Sequence, residues 1–169
     1  MKVKQIIVGS MGVCCYILGC EKTGLGIVID PGGSEDEILP ELDGLNIKYI
    51  VATHGHADHV CGMAALRKKT SGRTVMHLAD DEFFSQSQVR QFFSHLGLDH
   101  APPADIKVQD GDILEAGGVR LTVLHTPGHT PGGICLYSAP HLFTGDTLFA
   151  GGVGRTDLPG GSHQQLFQS

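Results

Sequence analysis

The chain has 169 residues, of which 41% are apolar and 18% charged, values that fit one globular domain and exclude a disordered chain or a coiled coil. Twelve basic against eighteen acidic residues give a net charge of −6, and no Lys/Arg run exceeds Arg67-Lys68-Lys69, so neither a nucleic acid nor an anionic membrane is an expected partner. Two counts stand out: 24 glycines, about twice the usual share of ~7%, and ten histidines in a chain without tryptophan, too scattered for a tag and so sharing a job.

The N-terminus is a decoy for a leader. Met1 to Lys4 is basic, an apolar run follows, and Ile17-Leu18-Gly19-Cys20 looks like a lipoprotein cleavage box. Gly9, Ser10 and Gly12 break the run, which argues against a signal helix. Val3 to Val8, Val13 to Leu18 and Gly26 to Ile29 read as strands separated by glycine-bearing turns. The third passes into the loop Asp30-Pro31-Gly32-Gly33, and Ser34-Glu35-Asp36-Glu37 is a capping box opening a short helix through Ile38, Leu39 and Leu42 that ends near Gly44. Ile47 to Thr53 is nearly continuous in apolar residues, as suits a strand buried on both faces. A helix is expected over His59 to Lys69, a strand over Thr74 to His77, and a helix over Asp80 to Leu96.

The second half is strand-rich: Ile106 to Val108, Ile113-Leu114, Val119 to Leu124, Ile134 to Tyr137 and Leu142-Phe143, joined by Asp-Gly, Gly-Gly and Pro-containing turns. Two packed sheets with helices outside follow from that order. A second capping box, Ser162 to Gln165, starts an amphipathic pattern that stops at Ser169 after barely two turns, so the chain is expected to be a truncated piece. No stretch reaches 18 uninterrupted apolar residues, so no transmembrane helix is expected. Cysteines 14, 15, 20, 61 and 135 are odd in number, two are adjacent and none has C-x-x-C spacing. Reduced thiols in a cytoplasmic protein are the reading, without a disulfide framework or a cysteine zinc site.

The chemistry concentrates in Thr53-His54-Gly55-His56-Ala57-Asp58-His59, directly after the buried strand. Histidines at i and i+2 of an extended segment point to the same side, so His54 and His56 can face one ion. Asp58 and His59 fall where the loop turns into the next helix, and their different direction suits a second ion. Neutral imidazole and carboxylate match zinc and other divalent first-row metals. His129, in Thr126-Pro127-Gly128-His129-Thr130-Pro131-Gly132, sits in a turn that proline and glycine hold in place. Asp146, in Thr144-Gly145-Asp146-Thr147-Leu148-Phe149, ends an apolar strand; alone it reads equally well as a helix cap, but beside the histidine cluster it is the candidate bridge between two metals.

The H-x-H-x-D-H cluster, the T-P-G-H-T turn and the G-D-T-L-F segment resemble the metallo-β-lactamase fold superfamily, and within it the glyoxalase II-like (hydroxyacylglutathione) hydrolases. The resemblance runs from Asp30 to Gly151-Gly152-Val153-Gly154-Arg155-Thr156-Asp157. It implies an α/β chain in an αβ/βα four-layer sandwich, residues 1–169 forming a single domain incomplete at its C-terminus. It assigns His54, His56 and His129 to one metal, Asp58 and His59 to a second, Asp146 to both, and gives Asp30 the task of orienting the metal-binding loop. Members supply one more histidine from a later G-H-G-type segment, which lies past Ser169 if present; His163 has the wrong surroundings to replace it. Glyoxalase II enzymes also carry a C-terminal helical glutathione-binding domain that these residues do not contain.

The implied activity is hydrolysis by a metal-bound hydroxide, with one or two zinc ions, or iron or manganese, as cofactor. A thioester is the preferred small-molecule substrate, because a thiolate leaves without a proton and no general acid is evident. Asp58 can both bind metal and hydrogen-bond the nucleophile. The leading alternative is a mononuclear iron persulfide dioxygenase of the same superfamily, which the chain resembles at Gly154-Arg155-Thr156-Asp157 and which would use His54, His129 and Asp146. A non-enzymatic metal-binding module is the third reading. Outside the cluster, His125 is expected either beside the site or bonded to backbone at its strand end. His77, His95, His100 and His141 are expected to be structural or exposed, Arg155 and Asp157 to pair, Cys61 to be a buried small residue, and Phe83, Phe84, Phe92 and Phe93 to be core.

Overall fold

A computed structural model of the chain describes residues 1–42, 44–97 and 102–169. The first sheet has six strands in chain order: β1 (Lys2–Val8), β2 (Val13–Gly19), β3 (Leu25–Ile29), β4 (Asn46–Val51), β5 (Arg73–His77) and β6 (Ile106–Val108). The first three pair antiparallel, and β3 to β6 run parallel. Parallel pairing demands crossovers, which the helices provide: α1 (Glu35–Ile38) with a 3₁₀ turn at Leu39–Leu42, α2 (Ala57–Val60) and α3 (Met63–Thr70), then α4 (Leu78–Ser85) and α5 (Ser87–His95). The second sheet is antiparallel, in the order β10 (His141–Phe143), β9 (Ile134–Ser138), β8 (Val119–His125), β7 (Ile113–Ala116). A hairpin of β11 (Leu148–Phe149) and β12 (Gly152–Val153) and a short helix α6 (His163–Leu166) complete the described elements.

Both faces of β4 are covered, which is why its sequence is almost wholly apolar. Val51 joins Leu18, Ile27, Ile29 and Val75 in a core shared with Leu121, Val123, Ile134 and Leu136 of the second sheet, while Ile47 and Ile50 face Ile38, Val60, Met63 and Leu66 on the helical side. The mixed α/β sandwich is the expected one. The outer face of the second sheet carries exposed Ile113, Tyr137 and Leu142, with Tyr137 directly opposite Leu142 and Thr122 standing between Tyr137 and Ile113. Leu121 is completely buried between the sheets. A Leu121→Ala substitution is therefore expected to cost about 3 kcal/mol, a fall in Tm of roughly 6–12 °C for a chain of this size. Leu142→Ala, at an exposed position, should stay within about 0.5 kcal/mol; thermal denaturation of both measures the contrast.

Two expected helices are each split. The segment after His59 breaks at Cys61-Gly62, because the Gly62 N–H donates to the Pro31 carbonyl (2.9 Å) and a Cβ there would lie 2.5 Å from that same oxygen. The break also leaves Cys61 exposed, not buried as expected. The run from Asp80 to Leu96 begins earlier, at Leu78, and breaks at Gln86, whose backbone is extended (φ −66°, ψ 133°). That turn lets Phe84 and Phe93 pack together (ring centroids 5.5 Å) and onto the His56 ring (5.6 Å each). The β11–β12 hairpin was not legible in the sequence. The expectation for His100 falls outside the described residues.

Candidate metal centre

The two sheets meet where β4 ends. Asp30, just past β3, adopts the left-handed backbone (φ 51°) and turns its buried carboxylate to Thr53, accepting from the backbone N–H and from Oγ1, each at 2.7 Å. The Thr53 carbonyl accepts from Ile134 N–H at 2.9 Å, at the start of β9. The histidine loop is thus anchored to both sheets before it begins.

Residues up to 92 positions apart then converge. His129 Nε2 lies 2.9 Å from His56 Nδ1 and 3.2 Å from His54 Nε2, and all three rings are buried. Asp146 straddles the next position, with Oδ2 3.6 Å from His129 Nε2 and Oδ1 3.3 Å from His59 Nε2. Among the described residues, His54, His56 and His129 form one set of donor atoms able to hold a metal ion, and His54, His59 and Asp146 form another. Asp58 stands at the rim of the second set, Oδ2 3.6 Å from His59 Nε2. All six candidate ligands from the sequence therefore lie in one cluster.

The hydrogen bonds determine which ring nitrogens are bare. Thr53 Oγ1 spends its proton on Asp30, so it accepts from His54 Nδ1–H at 3.2 Å. The Arg155 carbonyl accepts from His129 Nδ1–H at 2.7 Å. Both rings consequently turn an unprotonated Nε2 inward, and the two lone pairs face one another across 3.2 Å. Burial pushes His54 well below its ordinary pKa, and burial together with His129 and His59 pushes His56 down to about 3. Inward lone pairs held in one tautomer by outer hydrogen bonds are what a divalent cation requires, and the donor set fits one. His59 behaves differently: burial opposes its charge, but Asp30 (Oδ2 3.0 Å from Nδ1) and Asp146 outweigh burial and push it up to about 10. Burial also opposes the Asp146 carboxylate, and the His59 charge more than offsets it, lowering that pKa.

A cleft of about 580 Å³ opens onto the cluster, lined by Asp58, His59 and Asp146 on one side and by Met11, Cys14, Tyr16, Leu148 and Phe149 on the others. Sequence reasoning gave none of the latter five a place in a cleft, although Leu148 and Phe149 lie in the Gly145-Asp146-Thr147-Leu148-Phe149 segment that carries the resemblance. It also missed Asp80, although that residue, like Asp146, follows an apolar strand. Arg155 and Asp157 pair through two bonds of 2.7 Å, as expected. His125 donates from Nε2 to the Pro131 carbonyl (3.0 Å) and stacks on His77 at 4.1 Å.

His77 Nδ1 accepts from Ala79 N–H and caps α4, a task for the neutral ring. Burial and the neighbouring His125 push its pKa from 6.5 down to about 4. Between those values the unfolded chain binds more protons than the folded one, so stability falls as pH drops from about 6.5 toward 4. His77→Asn keeps a capping acceptor without titrating, and Tm measured against pH should lose part of this acid slope in the variant.

A family model described as the Metallo-beta-lactamase superfamily matches residues 9–169. Hydroxyacylglutathione hydrolase GloC of Haemophilus influenzae is 37% identical over 163 residues, covering 92% of this chain and 76% of that protein. Among solved structures, the B3 metallo-beta-lactamase BLEG-1 superposes with a TM-score of 0.87 at 31% identity, over 98% of this chain and 81% of that one. TTHA1623, solved in a di-iron-bound form, superposes with a TM-score of 0.81 at 29% identity, over 98% and 82%. Shared fold, a sequence match along nearly the whole length and a cluster of inward-facing imidazoles agree: the chain belongs to the metallo-beta-lactamase superfamily.

Proposed function

We propose that this chain is a metal-dependent hydrolase of small-molecule thioesters. The observation that carries the reading is the pair of bare Nε2 atoms of His54 and His129, 3.2 Å apart beside His56 Nδ1 and opening past Asp146 to the cleft. In this reading His54, His56 and His129 would hold one ion, and Asp58 and His59 a second, with Asp146 placed to serve either. A divalent ion in such a site acidifies water to a pKa of about 7 and polarises a carbonyl oxygen.

The remaining work falls to the chain itself. Asp58, at the mouth of the cleft, takes a proton from the attacking water at its carboxylate. Asp30, through Thr53 Oγ1, keeps the His54 proton on Nδ1. The Arg155 carbonyl does the same for His129. The proposed reaction asks least of the chain when the leaving group departs unprotonated. A thiolate does so near neutral pH, because thiols ionise around pH 8.5. The likeness to hydroxyacylglutathione hydrolase GloC supports the same substrate class.

Elemental analysis of protein purified without chelators, followed by thioester hydrolysis on the same sample, tests the reading. Expected are zinc or another divalent metal and hydrolysis that a chelator abolishes and added zinc restores. One equivalent of iron with oxygen uptake on a persulfide would replace the proposal by the dioxygenase reading. Metal-replete protein inert toward thioesters but active on β-lactams would replace it by the activity named for BLEG-1.

A further inference from the structure

We propose that Asp80 is the positioning residue of the metal centre, a single carboxylate on α4 that holds both ligand-bearing loops in register. The inference rests on the metal-binding reading above. Asp80 is completely buried. Its Oδ2 accepts from Gly55 N–H and from Thr130 Oγ1, both at 2.8 Å, and its Oδ1 accepts from Gly132 N–H at 2.5 Å. Gly55 lies between His54 and His56, and Thr130 follows His129. One side chain therefore holds the backbone between His54 and His56, the hydroxyl of the residue after His129, and the backbone of the same loop at Gly132.

The approach of the loops to α4 is close enough to demand glycine. A Cβ on Gly55 would lie 2.2 Å from the Phe84 ring, and one on Gly132 would lie 2.3 Å from the Asp80 nitrogen. The stacked rings of His77, which caps α4, and His125, which binds Pro131, tie the same helix to the second loop again. The first turns of α4 are thus the template on which both loops are seated. The template has work to do, because three imidazoles from two loops must keep ligand spacing, and an outside constraint holds it. A carboxylate suits the place because all three partners are donors. In Asp80→Asn the amide N–H₂ must oppose at least one backbone N–H or the Thr130 hydroxyl.

The test is titration of the metal-free 169-residue chain with Co²⁺, read by visible absorption and by competition with a chromophoric chelator, with Tm recorded for each variant. Asp80→Asn is expected to lose about 10- to 100-fold in Co²⁺ affinity and to shift the Co²⁺ spectrum. Thr130→Val removes one donor and adds no clash, so it should lose about 5-fold, the equivalent of one hydrogen bond, and it carries the test if Asp80→Asn does not fold. Asp81→Asn is the control: Asp81 is buried on the same helix, but it accepts from Ala104 N–H and pairs with Lys107, each at 2.7 Å, away from the loops. It should lose stability and keep wild-type Co²⁺ affinity and spectrum. Wild-type affinity in folded Asp80→Asn or in Thr130→Val, or equal losses in Asp81→Asn and Asp80→Asn, would overturn the proposal while leaving metal binding intact. Failure of the wild-type chain to bind Co²⁺ would overturn the metal reading itself.

Discussion

Replacing His129 with alanine is expected to lower thioester hydrolysis by at least roughly 1,000-fold, about 4 kcal/mol of transition-state stabilisation at 1.36 kcal/mol per decade. His129 Nε2 is the atom at which the cluster closes: it reaches His56 Nδ1 at 2.9 Å, His54 Nε2 at 3.2 Å and Asp146 Oδ2 at 3.6 Å. Its loss leaves the two imidazoles of one loop with only the Asp146 carboxylate from the second sheet. A site missing one imidazole binds a divalent ion far more weakly, and without the ion the reaction reverts to water with a pKa of 15.7. The measurement is kcat/KM with zinc in excess, alongside Tm to confirm folding. A folded variant within tenfold of the wild type would remove His129 from the proposed machinery.

Asp30→Ala is expected to act on stability and on the metal together. Thr53 N–H and Oγ1–H both lose their acceptor in a buried place, at about 1–3 kcal/mol for each orphaned donor, a total of about 2–6 kcal/mol. The more specific consequence is for His54. With Asp30 gone, the Thr53 hydroxyl is free to donate to His54 Nδ1, the ring proton moves to Nε2, and the ligand atom is blocked. His59 Nδ1, 3.0 Å from Asp30, loses its orienting carboxylate as well. Zinc affinity should fall by about 10- to 100-fold. Chemical denaturation and chelator competition measure the two effects separately, and unchanged zinc affinity in Asp30→Ala would show that the tautomer is held by something else. Asp30→Asn retains a side chain tolerant of the left-handed backbone at φ 51° and should be the more stable of the two.

The candidate ligands were legible because their chemistry is local. His54, His56, Asp58 and His59 fall within six consecutive positions, and His129 sits among prolines and glycines that declare a rigid turn. Asp146 was ambiguous alone and acquired meaning only from its company. Strand positions were legible for a similar reason, since β-branched runs between glycine-bearing turns report a two-residue period; β2, β3, β8 and β9 fall within a residue or two of expectation. Helix breaks were not, because Cys61-Gly62 and Gln86 are irregular for the sake of distant partners. Gly62 bonds to Pro31, and Gln86 turns so that Phe84 and Phe93 reach His56. Asp80 escaped notice for the same reason: its three donors lie 25, 50 and 52 residues away.

The amino-acid order alone determined which side chains are able to bind a cation, which runs pair as strands and which faces are apolar, since each depends on residue type and short spacing. Folding decided the rest. Which ring nitrogen is bare depends on Thr53 and the Arg155 carbonyl. How close the imidazoles stand depends on Asp80 and the glycines beneath them, and what lies beside them depends on the turn and hairpin that bring Met11, Leu148 and Phe149 to the cleft. Tautomer, distance and pocket wall are set by contacts between segments far apart in the chain, and only three-dimensional packing brings those segments together.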